Sequence, residues 1–210
     1  MTGSGRGPYP RGTAAFDRVV FFSDAVFAIA LTLVAVGIGI PVVADRESNT
    51  ELWAALVDKL PAIAAYAFTF FWVAFYWRAN HAFTTRLTAM SGRYLAAVLL
   101  YLAFIALLPF PAATLGEYYN AVALSFFLLF MAAVSALEVL LLVVADTDGL
   151  LEVRLTPAAR RFEVAGSMTP VAAAVVAVPV SFVNVVAGVV TFIVLALSFG
   201  ALVNRLFRPR

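Results

Sequence analysis

Six apolar runs, each about as long as a lipid bilayer demands, divide this chain and leave little room for any other kind of fold. A bilayer core takes roughly 17–25 apolar residues per helix, and the runs fall at about 19–40, 61–79, 94–112, 119–144, 166–182 and 186–204. Composition points the same way. The chain is 64% hydrophobic and 12% charged, where an ordinary soluble domain carries about 25% charged residues. The expected fold class is an all-α membrane protein with six transmembrane helices.

The last two runs need separating, because Val171 to Val203 holds no charge. As one helix, those residues would be about 50 Å long at 1.5 Å each, against a hydrocarbon core of about 30 Å. A tight hairpin near Ser181 to Asn184, with Gly188 just beyond the bend, resolves the conflict.

Charge then tests the count. With six spans, Arg6, Arg11, Arg18, Arg78, Arg86, Arg93, Arg154, Arg160, Arg161, Arg205, Arg208 and Arg210 fall on one side, and only Arg46 and Lys59 on the other. The positive-inside rule puts the arginine-rich side and both termini in the cytoplasm. Five spans would strand the final three arginines outside. Residues 1–15, "MTGSGRGPYPRGTAA", read as a disordered cytoplasmic tail, since Gly and Pro punctuate a segment with nothing to bury. Residues 16–205 form the membrane domain and 206–210 a short cytoplasmic tail. "SNTELWAALVDKL" (48–60) carries a helix-start signal from Ser48 to Glu51 and reads as an interfacial helix leading to Pro61. Asp146 to Glu163 reads as a solvated loop with a short helix after Thr156-Pro157, and Pro109 and Pro111 as the end of the third span. The first run is too long for a cleaved signal peptide.

Several functions are excluded or disfavoured. With no cysteine and one histidine, His81, neither a thiolate site nor a multi-histidine metal centre can form. No metal or cofactor is expected. A net charge of +2 gives no reason to expect a nucleic-acid partner. Ser23, Asp24 and His81 have the ingredients of a nucleophile and base. They lack a Gly-framed serine elbow, and Ser23 and Asp24 point ~100° apart, so an enzyme is not expected.

The first span, "RVVFFSDAVFAIALTLVAVGIGI" (18–40), sets an acid into an otherwise lipid-compatible helix. At ~100° per residue, and with Ile29 as zero, Thr32 falls near −60°, Leu33 near +40° and Val36 near −20°, which makes one stripe. Asp24 lies about 140° away and Ser23 about 120° in the other sense. A charge facing lipid is costly, so Asp24 should turn toward another helix. The second span ends on the same side with "FYWRANHAF", where Trp77 and His81 share a face at i, i+4 with Asn80 beside them. An Asp24–His81 hydrogen bond with Trp77 closing over it would satisfy both groups; equally, His81 sits in the aqueous interface. Periodicity leaves the stripe open too, because aliphatic residues at helical spacing often simply pack.

These residues carry a likeness. R-x-x-x-F-S-D at 18–24, W-x-x-[HN]-H in "WRANHAF", and F-P-x-x-x-L-G-E-Y in "LLPFPAATLGEY" (107–118) occur in order. With the six-span layout they resemble the bacterial members of the transmembrane protein 175 family, potassium channels related to a lysosomal one. The resemblance covers most of the chain and fades after residue 145. It implies a homotetramer in the bacterial plasma membrane, with the first helix of each subunit lining a central pore for potassium and other monovalent cations. In such a pore bulky apolar residues replace a backbone-carbonyl filter, and no T-V-G-Y-G-like stretch occurs here. By position, Ile29 matches the narrowest ring and Leu33 and Val36 further pore-lining positions, while Thr32 matches a hydroxyl linked to selectivity. Arg18, Phe22, Ser23 and Asp24 match a structural motif that packs on the second helix, here Trp77, Asn80 and His81. Two departures stand out. Gly39 sits where many relatives carry an acid, and Asn80-His81 replaces two consecutive histidines.

The competing reading is a proton-coupled transporter using Glu138 or Asp24. Glu138, in "VSALEVLLL", is a lone acid inside the fourth span, and such residues are functional suspects. Its bland counterpart is a protonated acid bonded to a neighbouring helix. Transporters often show internal repeats with broken half-helices, and no convincing repeat is present.

Overall fold

The structure, a computed structural model, describes residues 8–207, with side chains through residue 202. Among the described residues, six stretches are long and apolar enough to cross a bilayer. The expected count therefore holds. Arg6, Arg208, Arg210 and the side chain of Arg205 lie outside what is described.

Helix α1 (Ala14–Val36) starts on a Thr13 cap whose hydroxyl accepts the Phe16 amide. It buries one narrow face, Phe16, Ser23, Phe27, Ala30 and Val34, against its neighbours. Those neighbours include α3 (Leu60–Thr84), α4 (Gly92–Leu107) and α5 (Pro109–Tyr118). Helix α2 (Asn49–Asp58) forms where a helix is expected, with Ser48 Oγ accepting the Glu51 amide. Glu51 in turn accepts the Ala44 and Asp45 amides at 3.1 and 3.0 Å. Its carboxylate is thus spent on folding the loop after α1.

Helix α6 (Ala121–Thr147) is the central post. It packs on α4 and α5 on one side and on α8 (Thr169–Ser181) on the other. Tyr76 of α3 donates to the Met131 carbonyl of α6 at 3.1 Å and pairs with Ser135 Oγ at 2.8 Å. Phe68 and Trp72 of α3 meet Phe192 of α9 (Val185–Phe207) with ring centroids 6.0 and 5.4 Å apart. The α8–α9 hairpin turns at 182–184, where expected. A Cβ at Gly188 would sit 2.7 Å from Ser181 Cβ, so a residue without one lets the two helices close on each other.

Four expectations need correction. Pro109 does not end the third span. Leu108 stays helical (φ −58°, ψ −30°) and α5 continues the helical path to Tyr118, giving a 27-residue span. Proline lacks an N–H and clashes with the carbonyl four residues back, so it breaks the ladder locally, yet its fixed φ suits the first turn of a new helix. The fifth span likewise starts earlier than residue 166. Helix α7 (Pro157–Ser167), capped by Thr156, runs into α8 through a helical Met168, and together they span 25 residues. Third, α9 runs to Phe207, so the expected C-terminal tail at 206–210 begins inside a helix.

Fourth, residues 9–15 are not a structureless tail. Strand β1 (Tyr9–Pro10) pairs antiparallel with β2 (Ala89–Met90), Tyr9 opposite Met90. The Arg11 amide donates to the Thr88 carbonyl at 2.9 Å and its guanidinium to the Thr85 carbonyl at 2.9 Å. The loop after α6 joins this patch, where the Thr88 amide donates to the Leu150 carbonyl and the Glu152 amide to the Arg86 carbonyl. Buried backbone groups need partners, and here three loops supply them to one another. Asp148 ties the patch down, accepting from Ser91 at 2.6 Å and from Arg93 at 2.9 Å.

Candidate functional site

The stripe on α1 is largely uncovered within this chain. Ile29, Leu33 and Val36 are 57%, 48% and 75% exposed, whereas Phe27 and Ala30 on the opposite side are 1% and 0% exposed. Packing inside the protomer is therefore not what these aliphatic residues do. Thr32 is exposed beside them, and its hydroxyl donates to the Ile29 carbonyl at 2.8 Å. That bond uses the only hydroxyl proton and leaves the oxygen lone pairs as acceptors.

Asp24 faces the other way, toward α3. The Trp77 indole N–H donates to Asp24 Oδ1 at 2.9 Å, and the His81 ring stacks on the indole with centroids 5.5 Å apart and planes at 28°. The direct partner is thus the tryptophan and not the histidine. His81 is solvent-exposed and supports the contact through its ring face. Indole is donor-only, so it suits a carboxylate whatever the protonation state of the histidine.

The other residues of the expected brace scatter. Ser23 is buried and returns its hydroxyl to the Val19 carbonyl at 2.9 Å. Arg18 and Phe22 are exposed. Asn80 is buried and lines a cavity between α3, α6 and α7. Sequence reasoning missed a second tie, from the segment before α1 to the end cap of α3, the Arg11 to Thr85 bond, for which the sequence carries no local signal. It also missed Tyr101, whose phenol donates to Glu138 at 3.4 Å. No cluster of three or more metal-ligating side chains occurs among the described residues.

The sequence model of the family described as endosomal/lysosomal potassium channel TMEM175 matches residues 18–109, the stretch from Arg18 through Asp24, Trp77 and His81. A crystal structure of a lysosomal potassium-selective channel TMEM175 homologue from Chamaesiphon minutus superposes with a TM-score of 0.72 and 26% identity, over 91% of this chain and 100% of that one. This chain is thus similar to TMEM175 channels, in sequence over residues 18–109 and in fold over most of its length. A potassium channel of Streptomyces collinus is 35% identical over 101 residues, 48% of each chain. One from a Chryseobacterium species is 30% identical over 99 residues, 47% of this chain and 48% of its own length. The chain's matched region spans about half the length of these curated relatives.

Proposed function

We propose that the chain is one subunit of a potassium channel whose pore is lined by α1 from several copies, four by the resemblance. The observation that carries this reading is the α1 stripe, which stays largely exposed on the protomer. Exposure alone would also suit a lipid-facing helix. The TMEM175 match to residues 18–109 and the family's pore positions at Ile29, Thr32, Leu33 and Val36 favour the axis.

In that arrangement a ring of Ile29 side chains closes the path by dewetting, since an ion entering it loses hydration and gains no ligand. Thr32 lies one turn further along, its oxygen free to accept and so able to stand in for part of a hydration shell. Potassium sheds water more readily than sodium, which gives a partly dehydrating pore its preference. Asp24 is held off the axis by Trp77 and acts as a strut on α1. The arginine bias across the spans supports a plasma-membrane orientation with both termini cytoplasmic.

The test is flux from liposomes loaded with potassium or sodium, comparing the parent chain with Ile29→Asn. A polar ring should raise flux roughly tenfold or more and blunt the potassium preference, since it removes the dewetting barrier. Unchanged flux and selectivity would remove Ile29 from the pore.

A further inference from the structure

We infer that the cavity between α3, α6 and α7 is a binding site for a small organic cation, an ammonium group on an apolar body. The cavity is about 370 Å³, within the usual range of roughly 300–1,000 Å³ for small-molecule sites. It lies near the arginine-rich end of the bundle. Glu138 lines its wall on α6, Asn80 on α3, and the aromatic rings of Phe83, Tyr101 and Phe162 surround them.

The carboxyl of Glu138 is poorly satisfied. Its one hydrogen bond, from Tyr101, is 3.4 Å long, where O–H···O bonds usually fall at about 2.5–3.0 Å. Ionised opposite a cation, the carboxyl would offer about four acceptor sites, of which Tyr101 takes one. The other charges lining it cancel: Arg86 pairs with Glu163 at 2.9 Å, and its guanidinium also lies 5.7 Å from the Phe83 ring centroid. Glu138 is left as the one uncompensated charge-bearing group. A partly buried carboxylate is stabilised by a counter-charge and hydrogen-bond donors, and an ammonium supplies both. Aromatic faces add cation–π attraction, and the mainly apolar walls suit a hydrocarbon body. Metal ions fit poorly, because a single carboxyl is no coordination set.

Binding there has a route to the rest of the molecule. Asn80 sits on α3 between Trp77 and His81, whose rings hold Asp24 of α1. The site itself requires no assumption about ion conduction.

The test uses the full chain in lipid nanodiscs with para-fluorobenzylammonium as probe, followed by fluorine NMR line broadening against empty nanodiscs. Saturable binding is expected, weakened about tenfold or more in Glu138→Gln, which keeps the shape and the Tyr101 contact. Gly166→Leu should weaken it similarly, since a Cβ at Gly166, on the cavity wall, meets open space and the larger side chain can occupy the cavity. The neutral para-fluorobenzyl alcohol should bind more weakly than the amine and be indifferent to Glu138→Gln. No saturable binding, equal affinity in parent and Glu138→Gln, or an alcohol binding as tightly as the amine would each overturn the assignment. None of these outcomes depends on flux, so failure here leaves the α1 pore standing.

Discussion

Trp77 on α3 and Asp24 on α1 are 53 residues apart in sequence and joined by a 2.9 Å hydrogen bond from indole nitrogen to carboxylate oxygen. That single contact decides which way the acid of the first span points. Trp77→Phe keeps a ring for His81 to stack on and removes only the donor. It should cost about 1 kcal/mol, below the 1.5–3 typical of bonds to charged groups because the pair is partly exposed. Chemical unfolding in mixed micelles would read the loss. Trp77→Leu, which also removes the ring, should cost more.

Ile29 and Ala30 are adjacent, yet their substitutions should act on different properties. Ala30 is fully buried on the face of α1 that packs into its own subunit. Ala30→Leu overpacks that seam and should destabilise the chain by about 1–3 kcal/mol. Ile29→Leu, on the exposed stripe, should leave stability within about 0.5 kcal/mol. Unfolding midpoints of the two variants test the contrast, and equal losses would refute it.

The hairpin of α8 and α9 depends on Gly188. A methyl there meets Ser181 Cβ at 2.7 Å, Ser181 Cα at 2.9 Å and Leu124 Cδ2 at 3.1 Å. Two of these neighbours belong to one residue at the helix end, and its backbone must move. Gly188→Ala should therefore cost about 1–3 kcal/mol through overpacking, although alanine is the better helix former. Thermal unfolding of the variant checks the sign, because a helix-propensity effect alone would stabilise it.

Asp148 holds two loops together through Ser91 and Arg93. Its side chain is mostly buried, so Asp148→Ala leaves the Ser91 hydroxyl proton without its acceptor, although Ser91 still accepts the Tyr94 amide, and unties the patch. The expected cost is about 1–3 kcal/mol. Hydrogen exchange should quicken at the Thr88 and Glu152 amides, which bond between these loops, and stay unchanged at Tyr76 in the membrane.

The long-period features of this molecule were legible because lipid imposes them. Span count, the 182–184 hairpin and the Ser48 start of α2 follow from length, helix rise and cap chemistry, which are local. The direction of Asp24 followed from the cost of charge in hydrocarbon, but its partner did not. Trp77 and His81 share a face, and only side-chain packing separates donor from support. Pro109 misled because proline signals a break in the hydrogen-bond ladder, while continuation depends on the next helix starting in line. The strand at Tyr9 was invisible because two residues carry no periodicity, and their partners, Ala89 and Met90, lie far along the chain. Asn80 was grouped with the wrong side for a similar reason: adjacency on a helix surface does not say which neighbour fills each flank.

Arg11 fixes the foot of α1 to its own subunit through Thr85, while the far end runs out into Gly37 and a left-handed Gly39 (φ 67°). Because Ala30 and Val34 near that end stay packed within the subunit, α1 leans only together with its neighbours. Over the 18 residues from Arg18 to Val36, about 27 Å at 1.5 Å each, a lean of about 5° displaces the tip by roughly 2 Å and the base hardly at all. In the ring proposed above, Val36 would sweep the widest arc and Ile29 a smaller one, so the aperture would widen like a calyx opening from its rim.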